Sequence, residues 1–159
     1  MKKIIDPVDK NLIKKELSKD KLMRPTNKAS NELYIFTHHD SPNLMLEVGR
    51  LREIAFRHYG GGTGNEVDID RYDIMDTPYR QLIVWDPEDE EILGGYRFIC
   101  GTDVEFDING KPILATAHLL NFSQKFIDEY LPYTVELGRS FVSLEYQSTI
   151  RSRKGIFAL

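Results

Sequence analysis

Three groups of residues have the types and spacing to do chemistry. Glu136-Leu137-Gly138-Arg139 sets a carboxylate and a guanidinium in an otherwise apolar stretch containing Val135, Phe141 and Val142. Charge in an interior-looking strand is costly unless paired, so these two either close an internal salt bridge or face a site. Glu66-Val67-Asp68-Ile69-Asp70-Arg71-Tyr72-Asp73 concentrates four carboxylates. Counted from Asp68 as a calcium loop it fails, because Asp73 stands where glycine is needed and Tyr79 where a bidentate glutamate is needed. Arg52 and Phe56, four apart in a helical pattern, share one helix face, which on its own reads as an arginine stem lying beside a core phenylalanine.

Other chemistries lack their parts. Gly60-Gly61-Gly62-Thr63-Gly64 is rich enough in glycine to wrap a phosphate, but no Gly-Lys-Ser/Thr follows, so it reads as a plain loop. His38, His39, His58 and His118 with the single Cys100 give no zinc spacing, and no metal site is expected. There is no Gly-x-Ser-x-Gly elbow and no sign of an activated thiol, which argues against a covalent nucleophile.

The elements that position these groups follow from hydrophobic periodicity. Asp6-Pro7 reads as a cap and first helical residue, and Val8, Leu12, Ile13 and Leu17 continue a lysine-rich helical arm to about Met23. A polar connector over 24–31 leads to a strand over 32–36, where the body of the fold begins; this divides the chain into an arm and connector, 1–31, and a main domain, 32–159. Ser41-Pro42 repeats the cap signal, and Leu44, Val48, Leu51 and Ala55 mark an amphipathic helix over about 43–59. Strands at 81–85 and 92–100 form an antiparallel pair around the acidic turn 86–91, and Gly94-Gly95 marks a bulge or a close backbone approach. A loop or small hairpin over 101–112, a short helix over 122–130 and a strand over 134–144 complete the order. The fold class is α/β (α+β), a mixed, largely antiparallel sheet flanked by helices. The chain stops on the apolar run Ile156-Phe157-Ala158-Leu159, so we expect the fold to be truncated after its fourth core strand, or this end to be covered by another chain.

At 159 residues, with 41% hydrophobic and 29% charged residues, one globular domain is expected. A lone cysteine points to a reducing compartment and no apolar run has the length of a membrane span, so we read a cytoplasmic protein. The net charge of −4 is divided unevenly: residues 1–30 carry nine basic and four acidic side chains, whereas 66–91 carry ten acids against Arg71 and Arg80. A nucleic-acid binder rarely makes its densest charge block negative, so DNA and RNA are disfavoured as partners.

In order and approximate spacing, Arg52-x-x-x-Phe56, Asp70-x-x-Asp73, Gly94-Gly95-Tyr96-Arg97-Phe98 and Glu136-x-x-Arg139 resemble the acyl-homoserine-lactone synthases. Also similar are the related N-acyltransferases of ornithine and other amino-acid lipids, a group often labelled hemolysins, all within the GNAT fold. The resemblance spans about residues 33–159, and Glu-Leu-Gly-Arg-Ser-Phe-Val is its most specific part.

The resemblance implies one charged network beside the acceptor pocket. Glu136, Arg139 and Arg97 are its catalytic candidates, with Glu136 as the base and the arginines holding that carboxylate and any acceptor carboxylate. Arg52, Phe56, Asp70 and Asp73 are the acceptor-side candidates. Arg151, Arg153 and Lys154 fall where this fold binds the donor's phosphopantetheine, although the usual glycine-rich spacing is absent. No bound cofactor is implied; the donor is an acyl thioester of acyl carrier protein or coenzyme A, and the lysine arm is suited to an acidic carrier, to an anionic membrane face at the cell's inner membrane, or simply to water. The lactone synthases carry a tryptophan shortly after their phenylalanine, whereas Tyr59 and glycines follow Phe56, so lactone synthesis is disfavoured. The expected activity is transfer of a fatty acyl group to the amine of an amino acid or related small molecule, a step of lipid biosynthesis. The alternative is a noncatalytic acyl-carrier or lipid-binding module.

Overall fold

Alternation along the strands decides what the sheet can carry. In the computed structural model, which describes residues 1–27 and 29–147, five strands run in chain order, each antiparallel to the next. They are β1 Leu22–Pro25, β2 Glu32–Phe36, β3 Arg80–Asp86, β4 Glu91–Cys100 and β5 Val135–Val142. Cross-strand partners Phe36, Gln81, Arg97 and Gly138 lie in one row across β2 to β5, and Tyr34, Ile83, Gly95 and Phe141 in another on the same face. Helix α2, Pro42–His58, lays Leu44, Met45, Val48 and Ala55 against that face and closes the main core with Tyr34, Phe36, Ile83, Trp85 and Phe141. The expected antiparallel sheet with flanking helices is present, with β1 as one strand more than expected.

The N-terminal arm differs from its expectation. Helix α1 covers only Lys10–Glu16, capped by Asp9, whose side chain accepts the Asn11 N–H at 2.7 Å. Residues before it are held extended by the glycine-rich loop, through Lys2 N–H to the Gly64 carbonyl (2.8 Å) and Ile5 N–H to the Glu66 carbonyl (3.2 Å). Beyond it the chain turns and pairs with β2 as the edge strand β1, where Pro25 is tolerated because one side of an edge needs no N–H donor. Ile13 is buried in the main core. Glu16 caps α2 from a distance: its carboxylate accepts the N–H groups of Asn43 (3.2 Å) and Leu44 (2.7 Å), while Ser41 makes no side-chain cap. Lys14 pairs with Glu90 at 2.8 Å, so the arm's positive charge meets the acidic turn of the β3–β4 hairpin.

Two backbone features shape the site end. A Cβ on Gly94 would sit 2.5 Å from the Phe141 carbonyl oxygen and one on Gly95 2.3 Å from that of Leu82, so both positions permit a close approach of neighbouring strands. Opposite them, β5 bulges: Arg97 pairs with Gly138 but Gly95 with Phe141, setting three steps against two, and Arg139 adopts a left-handed φ of 53°. The segment 101–134 packs a second core, with Val104, Leu114, Ala117 and Leu131 against Tyr72, Tyr79 and Ile99. The helix expected over 122–130 is reduced to a π-helical turn, Phe126–Tyr130, followed by a 3₁₀ turn at Leu131–Tyr133.

Candidate active site

Asp70 and Asp73 are set by α3, Arg71–Ile74, a four-residue helix inside the acidic stretch. Asp70 caps it and accepts the Tyr72 N–H at 2.9 Å, while Asp73 accepts the Asp70 N–H at 3.0 Å, a capping box built from two aspartates. This turns both carboxylates toward the sheet. Arg52 Nη2, from α2, donates to Asp73 Oδ2 at 2.8 Å and also to the Asp68 carbonyl oxygen, and Gln81 Nε2, from β3, donates to Asp73 Oδ1 at 3.0 Å. Arg97 Nη1, from β4, lies 2.7 Å from Asp70 Oδ1 and 3.1 Å from Asp73 Oδ2. Arg139 Nη2, brought over by the bulge, lies 3.2 Å from Asp70 Oδ2 and 3.4 Å from Asp68 Oδ1. Three guanidiniums and three carboxylates thus balance one another.

Burial of ions is tolerated here because Asp70 and Asp73 accept hydrogen bonds on both oxygens and opposite charges surround the rest. Arg52 and Asp73 are both fully buried. Burial pushes the Asp70 carboxyl upward, but the Arg97 hydrogen bond and charge, with Arg139 and the Tyr72 N–H, outweigh it and hold the group below its ordinary value. For Asp68 burial wins over Arg52 and Arg139 and the carboxyl is raised; its oxygens have ion-pair neighbours but no hydrogen bond.

Glu136 stands outside this cluster. Its Oε2 accepts from the Tyr79 hydroxyl at 2.7 Å and its Oε1 from the Thr116 N–H at 3.0 Å, and Tyr79 Oη itself accepts the Ala115 N–H at 2.9 Å. Burial first, and then the bond to Glu136, push the Tyr79 phenol well above its ordinary value, against the opposing Ala115 N–H, so the phenol remains a donor. The Arg97 guanidinium lies over the Tyr79 ring, 5.0 Å from its centre. Glu136 also borders a cavity of about 210 Å³ whose walls are mostly apolar. A carboxylate with one donor on each oxygen keeps lone pairs free to take a proton.

The structure therefore brings Arg52, Asp70, Asp73, Arg97 and Arg139 together and leaves Glu136 apart. The expectation that Arg97 and Arg139 hold the Glu136 carboxylate is corrected: both arginines are taken by aspartates. The Glu136-x-x-Arg139 pair closes no salt bridge with itself, because Arg139 pairs with Asp68 and Asp70. Phe56 packs against the main core. Arg151, Arg153 and Lys154 lie outside the described residues. Sequence reasoning missed Gln81, Tyr79, the Thr116 N–H and the part Asp68 plays; only Asp68, inside the acidic run, gave any signal. Among the described residues no group of three or more His, Cys, Asp or Glu side chains is placed to hold a metal ion.

Comparison with known proteins adds to this geometry. Two relatives named glycine N(alpha)-acyltransferase, from Phocaeicola vulgatus and Bacteroides thetaiotaomicron, are each 64% identical to the chain over all 159 of its residues. The chain spans about half the length of these curated relatives, 49% and 47%. No solved structure matches it. The family model described as acetyltransferase (GNAT) domain matches residues 51–153, from the helix that carries Arg52 through the bulged strand that carries Glu136 and Arg139. The chain belongs to the acetyltransferase (GNAT) domain family.

Proposed function

We propose that the protein is an N-acyltransferase that moves an acyl group from a thioester to the amine of glycine. The observation that carries this reading is Glu136, held at each oxygen by one donor and bordering an apolar cavity within a GNAT domain. The acceptor follows the activity for which the two relatives are named. The donor is a thioester of acyl carrier protein or coenzyme A.

Glycine arrives as an ammonium, and Glu136 takes its proton directly or through water. The freed nitrogen lone pair attacks the thioester carbonyl carbon, forming the C–N bond and a tetrahedral oxyanion. Its collapse breaks the C–S bond, and the thiolate leaves and takes a proton from the nitrogen, giving N-acylglycine and free thiol. Of the three clustered guanidiniums, Arg139 is the one whose side chain keeps substantial exposure, 32% against 4% for Arg97 and 0% for Arg52. It is the fork available for the glycine carboxylate, while Asp68, Asp70 and Asp73 fix the arginines.

The test is Glu136→Gln in the full-length protein, supplied with acyl coenzyme A, acylated carrier protein and glycine, with N-acylglycine followed by mass spectrometry. Loss of a proton acceptor lowers kcat about 10²- to 10⁴-fold. Retained turnover removes Glu136 as the base, and saturable thioester binding by the wild type with no product favours a noncatalytic binding module.

A further inference from the structure

Given the acyltransferase reading, the cavity beside Glu136 needs an occupant. It lies under the segment 101–134, between the end of β4 and the start of β5, and Ile99, Val104, Leu114, Phe122 and Leu131 line it. Glycine has no side chain, so of the two reactants only the acyl donor brings hydrocarbon to these walls. At about 210 Å³ the cavity is smaller than the ~300 Å³ of a site that encloses a whole small ligand, and so it takes part of one. At ~30 Å³ for a water-sized group it holds about seven, the bulk of a medium-length chain.

Phe126 gives this space an end. With Thr134 it lines both the cavity and a second, more open recess that Ser123, Lys125 and Tyr130 complete. Its ring is stacked between Phe122, 5.2 Å away, and Tyr130, 6.5 Å away, and that stack on the π-helical turn Phe126–Tyr130 fixes it as a partition between the two spaces. We infer that the cavity beside Glu136 receives the hydrocarbon chain of the acyl donor, and that Phe126 sets the length of chain accepted. The thioester carbonyl then lies toward Glu136 and the chain runs under 101–134.

The test compares wild type, Phe126→Ala and Val104→Phe, each full length, with butyryl-, octanoyl- and palmitoyl-pantetheine. Binding is read by calorimetry and product distribution by mass spectrometry from an equal mixture of the three donors with glycine. Each methylene buried in the wild-type cavity is expected to raise affinity up to about fourfold, so octanoyl exceeds butyryl. Phe126→Ala joins the cavity to the open recess and moves the preference toward palmitoyl. Val104→Phe fills the cavity and moves it toward butyryl. The glycine KM stays unchanged in both. Phe126 is only partly buried, so Phe126→Ala decides the matter if Val104→Phe fails to fold. An identical chain-length profile in wild type and Phe126→Ala overturns the inference, as does a change confined to the glycine KM. If no protein forms product, yet binding follows chain length and shifts in Phe126→Ala, the acyl pocket stands and the acyltransferase reading falls.

Discussion

Asp73 and Glu136 are both carboxylates on the helix-covered side of one sheet, yet their surroundings differ in kind. Asp73 is sealed: Arg52, Arg97, Gln81 and the Asp70 N–H fill its lone pairs with charged and neutral donors, and no water reaches it. Glu136 has two neutral donors and an open cavity. The donors around Asp73 occupy its lone pairs, whereas Glu136 keeps lone pairs that no donor fills beside a cavity. Within one set of motif residues the fold thus separates ions that pair with one another from one carboxylate that borders a cavity, the group proposed above as the base.

The largest effect that tests this contrast is on stability. Arg52→Met leaves Asp73 and Asp68 buried beside an apolar side chain, which costs about 3–5 kcal/mol. With an m-value of about 2 kcal/mol/M, the urea midpoint falls by roughly 2 M. Glu136→Gln, by contrast, removes turnover at a smaller cost of about 1–3 kcal/mol, because its amide NH2 meets the Tyr79 hydroxyl or the Thr116 N–H where an oxygen accepted. Equal loss of stability in the two variants would show that Glu136 is also part of the scaffold.

How much of this was legible in the sequence depended on how local the cause is. The strand over 32–36 was readable as an apolar run, the helix from Pro42 because several residues repeat one period, and the β3–β4 hairpin because two apolar runs flank a polar turn. β1 was not, because it is an edge strand whose pairing comes from β2. α3 was hidden because an aspartate stands where a capping box usually shows Glu or Gln, so the acids read only as a charge run. Plain strand alternation puts residues three apart on opposite faces, and only the bulge reconciles Glu136 with Arg139; no glycine at residue 139 announced its left-handed backbone. The motif named candidate residues but not their partners, since Tyr79 and the Thr116 N–H belong to no recognisable spacing.

Tyr79→Phe probes the open side of the comparison. It removes one donor from Glu136 and strands the Ala115 N–H, a loss of about 1–3 kcal/mol in stability. Because Tyr79 acts by aiming Glu136, kcat falls while the donor and glycine KM values hold. Since its phenol is raised well above the ordinary value of 10.0, it stays protonated through the working range, and any alkaline limb near pH 10 in the wild-type rate profile remains in the variant. Disappearance of that limb would mean that Tyr79 itself titrates in the reaction.

Asp70→Asn tests the sealed side more gently, because asparagine caps a helix as well as aspartate, while the charge and one of the two oxygens that accept from Arg97 and Arg139 are lost. The native carboxyl is held below 3.8, so as pH falls past that value the unfolded chain binds more protons than the native one. The stability Asp70 contributes is complete above its unfolded pKa and is lost as pH falls through the lowered native value. We expect Asn to cost about 1–2 kcal/mol at neutral pH and to flatten the acid limb of a stability profile. An unchanged acid limb would show that Arg97 and Arg139 do not depend on this charge.

Glu16→Ala gives the smallest effect and guards the others. Glu16 touches neither cluster; it caps α2 through the N–H groups of Asn43 and Leu44. Its loss costs about 1 kcal/mol, as for an ordinary N-cap. Because α2 also carries Arg52, a helix that frayed far enough to disturb the site would lower turnover with the cap. The contact core of Leu44, Met45 and Val48 holds the first turns of α2 in place, so N-acylglycine formation should stay at the wild-type rate while the urea midpoint falls by about half a molar, again taking ~2 kcal/mol/M. If turnover drops along with this modest destabilisation, losses of rate in Tyr79→Phe and Glu136→Gln report helix α2 as much as chemistry, and the division between scaffold ions and a free base no longer stands.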